Sequence, residues 1–421
     1  MRESICAQEL HRYTARMLSL SAFDVQDMRG KRILLRAGFD VPIEGGVVVD
    51  TERIDALVPT MRYILDHGAA LILLAHQGRP KDAPDPAFSQ RPLVPVLERL
   101  LSRRVQFAPS CTGKETLAMA RAMQPGDVLL LENLRFHPGE KKNDPAFARE
   151  LAELGDMYVN DAFTNCHRAH ASMVALPSLL PSAMGLQLAE EVEHLSAVLH
   201  ATKKPVVLIV SGAKMETKVP VIEYFLERGD HVLLGGAIAN TFIAASGHAV
   251  GTSKMQEESL EKARELLLKA QGKGKARVHL PTDVRIAAEA SQEARSSDAS
   301  IAAVPPDMCI FDLGQHTVDA YRAIIANAGT IIWNGPLGLY EVEQFSPGSI
   351  AVAESVAAAT AKGATSVLGG GDTIDLHRRY RLPLDVYTFV SMGGGAMLEF
   401  VAGKELPALK ALAASKRIAK A

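Results

Sequence analysis

The sequence predicts an α/β protein of two halves, each built on a mainly parallel sheet with helices on both faces. Three observations predict it. Short apolar runs alternate with stretches of helical periodicity along nearly the whole chain. Those runs are continuously hydrophobic, as in strands buried on both faces. The polar chemistry changes at residues 207–218, Val-Leu-Ile-Val-Ser-Gly-Ala-Lys-Met-Glu-Thr-Lys. Before that stretch Arg and His mark the strand ends, and after it glycine does, so it reads as the place where a substrate half meets a nucleotide half.

The elements follow in order. Ile33 to Leu35 form a short buried strand, Gly45-Gly46 a turn and Val47 to Val49 another strand. Thr51 is placed to cap one helix running through Asp66, with Ile54, Leu57, Val58, Met61 and Leu65 on its apolar face. A strand over Ala70–Ala75 runs into His76-Gln77-Gly78-Arg79-Pro80, and a loop over 81–92 precedes a helix over Leu93–Leu101. The strand Val128–Leu131, a helix over Asp144–Leu154 and the strand Met157–Val159 complete the first half. A helix over Leu188–His200, with Glu190, Glu191 and Glu193, links the halves, and Pro205 closes the link. Alternation then resumes: strand 206–210, helix 219–228, strand 231–234, helix 256–269, and strands at 277–280, 309–311, 330–333, 366–368 and 387–390. The Ala/Lys-rich residues 408–421 read as a surface helix or tail.

Composition bounds the function classes. The 421 residues are 48% hydrophobic and 22% charged, as in a globular protein of two or more domains. The formal net charge of −2 gives no support to a nucleic-acid or membrane-surface role. Cys6, Cys111, Cys166 and Cys309 have no CxxC spacing and read as reduced cytosolic thiols. No apolar run reaches the roughly 18 residues of a membrane span. Met1–Arg16 is polar and mixed in charge, which does not suit a secretory signal, and Met17 begins a more typical opening.

Arg36, His76, Arg79 and Arg135 stand at strand ends, Arg168 and His170 in a later loop, and Arg53 near the start of the helix after the hairpin. Ligands of open parallel sheets bind beyond the carboxyl ends of the strands, so these residues can converge. Several guanidiniums around one site suit a small ligand with more than one anionic group. Each alone reads as a solvated residue. In the second half, Lys214 and Lys218 are spaced to share a face of a first helical turn, where an anion is favoured. Glycines cluster at 235–236, 335 and 338, 369–371 and 393–395. Each cluster alone reads equally as a tight turn or as backbone that lets a phosphate approach. Gly370, Gly371 and Thr373 are placed to cradle phosphates, with Asp372 a carboxylate for Mg²⁺. Neither GxxxxGK[ST] nor an opening GxGxxG is present, which leaves an NAD-type site poorly supported.

Seven motifs together resemble phosphoglycerate kinase: His76–Pro80, Leu131–His137, Val159–Phe163 with His167–His170, Ser211–Lys214, Trp333–Gly338, Gly369–Thr373 and Gly393–Ala396. They lie in register from about Met17 to about Ala408. The resemblance implies two similar-sized domains around a cleft, joined by a hinge near 188–206. It implies an N-terminal extension over 1–16, a phosphoglycerate domain over 17–190, a linker over 191–205, a nucleotide domain over 206–395 and a segment 396–421 returning to the first domain. By position it implies substrate contacts at Gly38, Phe39, Asp40, Arg53, His76, Gln77, Gly78, Arg79, Arg135 and Arg168. It implies nucleotide contacts at Lys214, Lys218, Gly314, Glu341, Gly370, Gly371, Asp372 and Thr373, with Glu341 at the ribose and Asp372 at the metal. Arg53 and Lys214 are the implied catalytic pair. ATP or ADP with Mg²⁺, a phosphoglycerate-like acid, a monomer, the cytoplasm and glycolysis follow from the same resemblance. The net charge and the lack of a long apolar run leave nucleic-acid and membrane partners unexpected.

The chain departs from the family at several positions. The first-loop pattern Arg-x-Asp-Phe-Asn is Arg36-Ala37-Gly38-Phe39-Asp40 here, so the Asp that would accept from the substrate hydroxyl is glycine. The Gly-Thr before the substrate-loop His-Arg is Thr164-Asn165, followed by Cys166. Gly-Pro-Lys is Gly314-Gln315-His316, and the Thr before the last glycine cluster is Met392. Three readings stay open: a phosphoglycerate kinase with a relaxed first loop, a kinase for a related carboxylate, and a non-catalytic nucleotide-binding paralogue.

Overall fold

The buried apolar runs are the strands. In a computed structural model, residues 17–23, 25–81, 83–200 and 203–415 are described. The expectations for 1–16, and for 201–202 and 416–421 within the linker and the returning segment, lie outside the described residues. Of the described residues, those between 194 and 404 form one unit, and those up to 193 together with those from 405 onward form the other.

In the first unit, β1 (Arg32–Ala37), β4 (Ala70–Leu74), β5 (Val105–Ala108), β6 (Val128–Leu131), β7 (Met157–Asp161) and β8 (Ser182–Met184) form one parallel sheet. A small hairpin pairs β2 (Ile43–Glu44) with β3 (Val47–Val48). The sheet order is β5-β6-β4-β1-β7-β8. The chain therefore leaves β1 on one side through β4 and returns on the other through β7, which puts the switch point between β1 and β7. Ile33, Leu35, Leu71, Leu73, Leu130 and Val159 anchor the core beside the helices that cover the sheet.

The other unit repeats the architecture. Its parallel sheet comprises β9 (Val206–Val210), β10 (His231–Leu234), β11 (Arg277–His279), β15 (Thr330–Asn334), β16 (Thr365–Gly369) and β17 (Phe389–Ser391), in the order β11-β10-β9-β15-β16-β17. The switch point lies between β9 and β15. Its core contains Val207, Ile209, Leu233, Ile331, Trp333 and Leu368. A second, antiparallel sheet joins β12 (Asp283–Ala287), β13 (Ser297–Ser300) and β14 (Cys309–Leu313).

Several expectations change. The helix expected over Thr51–Asp66 is two helices, Glu52–Asp55 and Val58–Asp66, because Pro59 restarts the helix in its first turn. Thr51 makes no capping bond: its hydroxyl donates to Asp55, and the Asp50 carboxylate accepts from Glu52 N–H instead. The helix expected at 219 begins at Met215. The strand expected at 309–311 belongs to the antiparallel sheet: it pairs with β12, whose other edge pairs with β13, and no crossover helix joins these strands. Among the described residues no helix is long and apolar enough to cross a membrane.

Candidate functional site

At the carboxyl end of β1, Arg36 is fully buried. Its Nε donates to Ser172 Oγ at 3.0 Å, its Nη1 to Ala37 O, and its Nη2 lies 3.1 Å from His76 Nδ1. A guanidinium has only donors, so Nδ1 accepts and His76 is neutral with its proton on Nε2. That N–H faces Asp40 Oδ2 at 3.5 Å. Burial, reinforced by Arg36 and only partly offset by Asp40, holds the His76 pKa down to about 3. Asp40 Oδ1 accepts from Gly78 N–H at 2.9 Å. Burial pushes the Asp40 carboxyl up, but the bonds from His76 and Gly78 and the charge of Arg53 outweigh it, so it stays well below the usual range. Arg53 is exposed, and its Nη1 donates to the Asp40 carbonyl.

Arg135 supplies the clearest ligand signal. Its Nη1 donates to Gly78 O at 2.6 Å, but Nε and Nη2 are buried without a protein partner, as is Nε of Arg168. Burial, with Arg168 and Arg36 as like charges, lowers the Arg135 pKa to about 10. Buried charged donors without acceptors are costly. An anionic ligand removes that cost. Asp40 and buried Glu140 do not balance Arg36, Arg53, Arg135 and Arg168. Arg79 stands exposed on the 76–80 loop.

Two of the expected contacts are buried. Phe39 packs wholly within the core. Gln77 is buried with its amide paired to both backbone groups of Val41, and so fixes the first loop. Sequence reasoning missed Glu140, which accepts from Ser172 N–H at 2.9 Å and its hydroxyl at 2.6 Å. It also missed Asn133, whose amide holds the carbonyls of Gln77 and Phe88 at 2.8 Å. The Glu140 carboxylate and Arg36 share Ser172, which marks the pair as scaffold for the arginines.

In the other unit, the loops after β9, β15 and β16 interlock. Ser211 Oγ donates to Pro336 O at 2.6 Å, Asn334 Nδ2 to Gly369 O at 2.7 Å, and Thr373 Oγ1 accepts from Gly335 N–H at 2.9 Å. Gly370, at φ +104°, opens the helix Gly371–Arg379 in a conformation that side chains resist. Thr373 is buried with its hydroxyl used by Gly335 and Gly369, so it shapes the glycine loop from beneath. The first N–H groups of that helix have no intrahelical acceptor and suit a phosphate.

The two lysines do not share a face. Lys214 is the exposed residue before the helix Met215–Arg228, in extended conformation. Lys218 is buried, its ammonium bound to Asn334 Oδ1. Burial lowers its pKa to about 8, against the pull of Asp372. A cavity of about 530 Å³ opens among the loops 211–213 and 336–341, the start of the helix Gly236–Ala245 and strand β14, with exposed Asp372 and Glu341 at its edge. Its walls include Val284, Ile310, Leu313 and Leu337, a lining suited to a flat apolar ring. Gly314 is not on that wall: it approaches Asp283 so closely that a Cβ would lie 2.3 Å from Oδ2. Lys254, Asn240 and Cys309, which the sequence did not single out, line the cavity.

Among the described residues no group of three or more His, Cys, Asp or Glu could hold a metal. Exposed Asp372, at the start of the helix Gly371–Arg379, is a carboxylate of the kind that joins phosphate oxygens and water around a divalent cation.

The comparisons agree with this geometry. The family profile described as phosphoglycerate kinase matches residues 23–404. A phosphoglycerate kinase of Desulforudis audaxviator is 44% identical over 397 residues, 94% of this chain and 99% of its own length. One from Chlorobaculum tepidum is 44% identical over 387 residues, 91% of this chain and 97% of its own. The solved phosphoglycerate kinase of Coxiella burnetii superposes with a TM-score of 0.84 at 37% identity, covering 94% of this chain and 98% of that one.

Proposed function

Because the chain belongs to the phosphoglycerate kinase family, we propose that it reversibly transfers the acyl phosphate of 1,3-bisphosphoglycerate to ADP, giving 3-phosphoglycerate and ATP. The observation that carries this reading is the set of partnerless buried donors on Arg135 and Arg168. They demand an anion in one unit, while the other unit holds a nucleotide-sized cavity with a glycine-lined helix start and Asp372.

In this reading the acid binds to the unit holding residues 17–193 and the nucleotide to the unit holding 194–404. Arg135 and Arg168 take the acid's anionic groups, Arg53 and Arg79 add charge from exposed positions, and neutral His76 donates towards Asp40. Gly370 and Gly371 present N–H groups to the nucleotide phosphates, Lys218 sits beneath them, and Glu341 stands where a ribose would project. Mg²⁺ at Asp372 would neutralise the nucleotide's phosphate charge. A carboxylate is already ionised at neutral pH, so no general base is required. The remaining task is positioning and charge neutralisation of the moving group, which falls to Lys214 and Arg53. A cytoplasmic monomer accompanies the reading, and the mass measured by sedimentation equilibrium checks the second part.

A coupled assay with ATP, Mg²⁺ and 3-phosphoglycerate tests the proposal. Turnover supports it. Nucleotide binding without turnover would favour the other two readings, a kinase for a related carboxylate or a non-catalytic paralogue.

A further inference from the structure

The loops that follow β1 and β7, the strands on either side of the first sheet's switch point, face each other at Gly38 and Thr164. A Cβ on Gly38 would stand 3.5 Å from Thr164 Oγ1 and 3.9 Å from Ala162 Cα, ordinary contact rather than clash. Gly38 is also not among the glycines with positive φ. Neither backbone conformation nor packing therefore requires glycine there. What its missing side chain leaves is a gap between the two loops, bordered by a hydroxyl.

The carboxylate two residues on, Asp40, is committed elsewhere. Asp40 uses Oδ1 for Gly78 N–H and turns Oδ2 to His76 Nε2, so it faces the 76–78 loop. Thr164 Oγ1 lies 3.3 Å from Oδ1 of buried Asn165, to which its proton is directed. Its lone pairs remain to accept. Relative to the family pattern, the side chain lost at 38 is matched by one gained at 164, on the opposite wall of the same gap.

Resting on the function proposed above, we infer that Thr164 is a specificity-determining residue: through the gap left by Gly38, its hydroxyl accepts a hydrogen bond from the hydroxyl next to the substrate's carboxylate. The substrate class is a 2-hydroxy acid carrying a distal phosphate. The acceptor is neutral, so discrimination is weaker than a carboxylate would give, and no negative charge is added beside the arginines.

The test measures binding of 3-phosphoglycerate and of its 2-deoxy analogue, 3-phosphonooxypropanoate, to the full chain. Wild type is expected to prefer the hydroxylated acid by about three- to tenfold, the range of one neutral hydrogen bond. Thr164→Val should abolish the preference, Thr164→Ser should keep it, and adding Gly38→Asp to Thr164→Val should restore it. The ratio separates a specificity role from a structural one, because a distorted loop weakens both acids alike. A preference that survives Thr164→Val, an equal loss for both acids, or no recovery with Gly38→Asp overturns the inference. Wild type that binds both acids without preference overturns it alone. Wild type that binds neither and shows no turnover overturns the functional reading, and this inference with it.

Discussion

Replacing Arg135 by Met separates ligand binding from scaffolding. The Arg135 pKa falls from 12.5 to about 10 in the folded protein. At about 1.36 kcal/mol per unit, that is at most about 3.4 kcal/mol against the folded state at neutral pH. Solvent screening in the site reduces it to about half. The sign is that of a base with a lowered folded pKa: the cost is present throughout neutral pH and is relieved only as pH rises through about 10. Against it stands one charge-assisted bond to Gly78 O, worth about 1.5–3 kcal/mol. The two nearly cancel, so Arg135→Met should move the stability of the ligand-free protein by less than about 1 kcal/mol. Binding should suffer far more. Two buried donors without protein partners meet the anion, and their loss should weaken 3-phosphoglycerate by about 3 kcal/mol or more, at least ~100-fold. Isothermal urea denaturation without ligand and calorimetric titration with 3-phosphoglycerate read the two quantities. Loss of about 3–5 kcal/mol of stability with little change in binding would refute the reasoning, since that is what breaking a buried structural ion pair does.

The other predictions concern the nucleotide unit. With the Lys218 pKa near 8, its charge costs stability below that pH and the cost fades as pH rises through it, while the attraction for nucleotide fades over the same window. ADP affinity measured from pH 6.5 to 9.5 should therefore weaken above about pH 8, and Lys218→Met should flatten the profile; an unchanged profile in the variant would count against this. Thr373→Val should raise the KM for ATP about tenfold and cost about 1–3 kcal/mol of stability, with Thr373→Ser near wild type, because one hydroxyl ties Gly335 to Gly369. Gly370→Ala should weaken ATP binding and cost about 1–2 kcal/mol, since its φ is +104° and a Cβ would lie 3.0 Å from Asn334 Nδ2. Equal ATP affinity in that variant would remove the glycine loop from the site.

Much of this was legible in the sequence where one residue type answers to one environment. The apolar runs at 128–131, 206–210 and 231–234 are strands with those bounds, because burial on both faces leaves only the end residue His231 polar. Val105–Ala108 and Ser182–Met184 escaped, since Gln106 and Ser182 break the apolar run. The antiparallel sheet escaped because β13, Ser-Asp-Ala-Ser, is largely exposed and carries no hydrophobic signal. Strand-end arginines could be picked out because the sheet topology brings strand ends together. Their roles could not. That Arg36 is scaffold while Arg135 has donors to spare depends on Ser172 and His76, 136 and 40 residues away in sequence. Lys214 and Lys218 looked alike at helical spacing, yet the backbone is extended at one and helical at the other.

The central claim is that this chain moves a phosphoryl group by shielding its charge with fixed cations rather than by proton transfer. Single-turnover transfer from ATP to saturating 3-phosphoglycerate, compared between wild type and Lys214→Ala, tests it most directly. The account requires a fall of about 100-fold or more in the transfer rate, the scale of removing one preorganised stabiliser, with both substrates still bound. Transfer at the wild-type rate in the variant would contradict it.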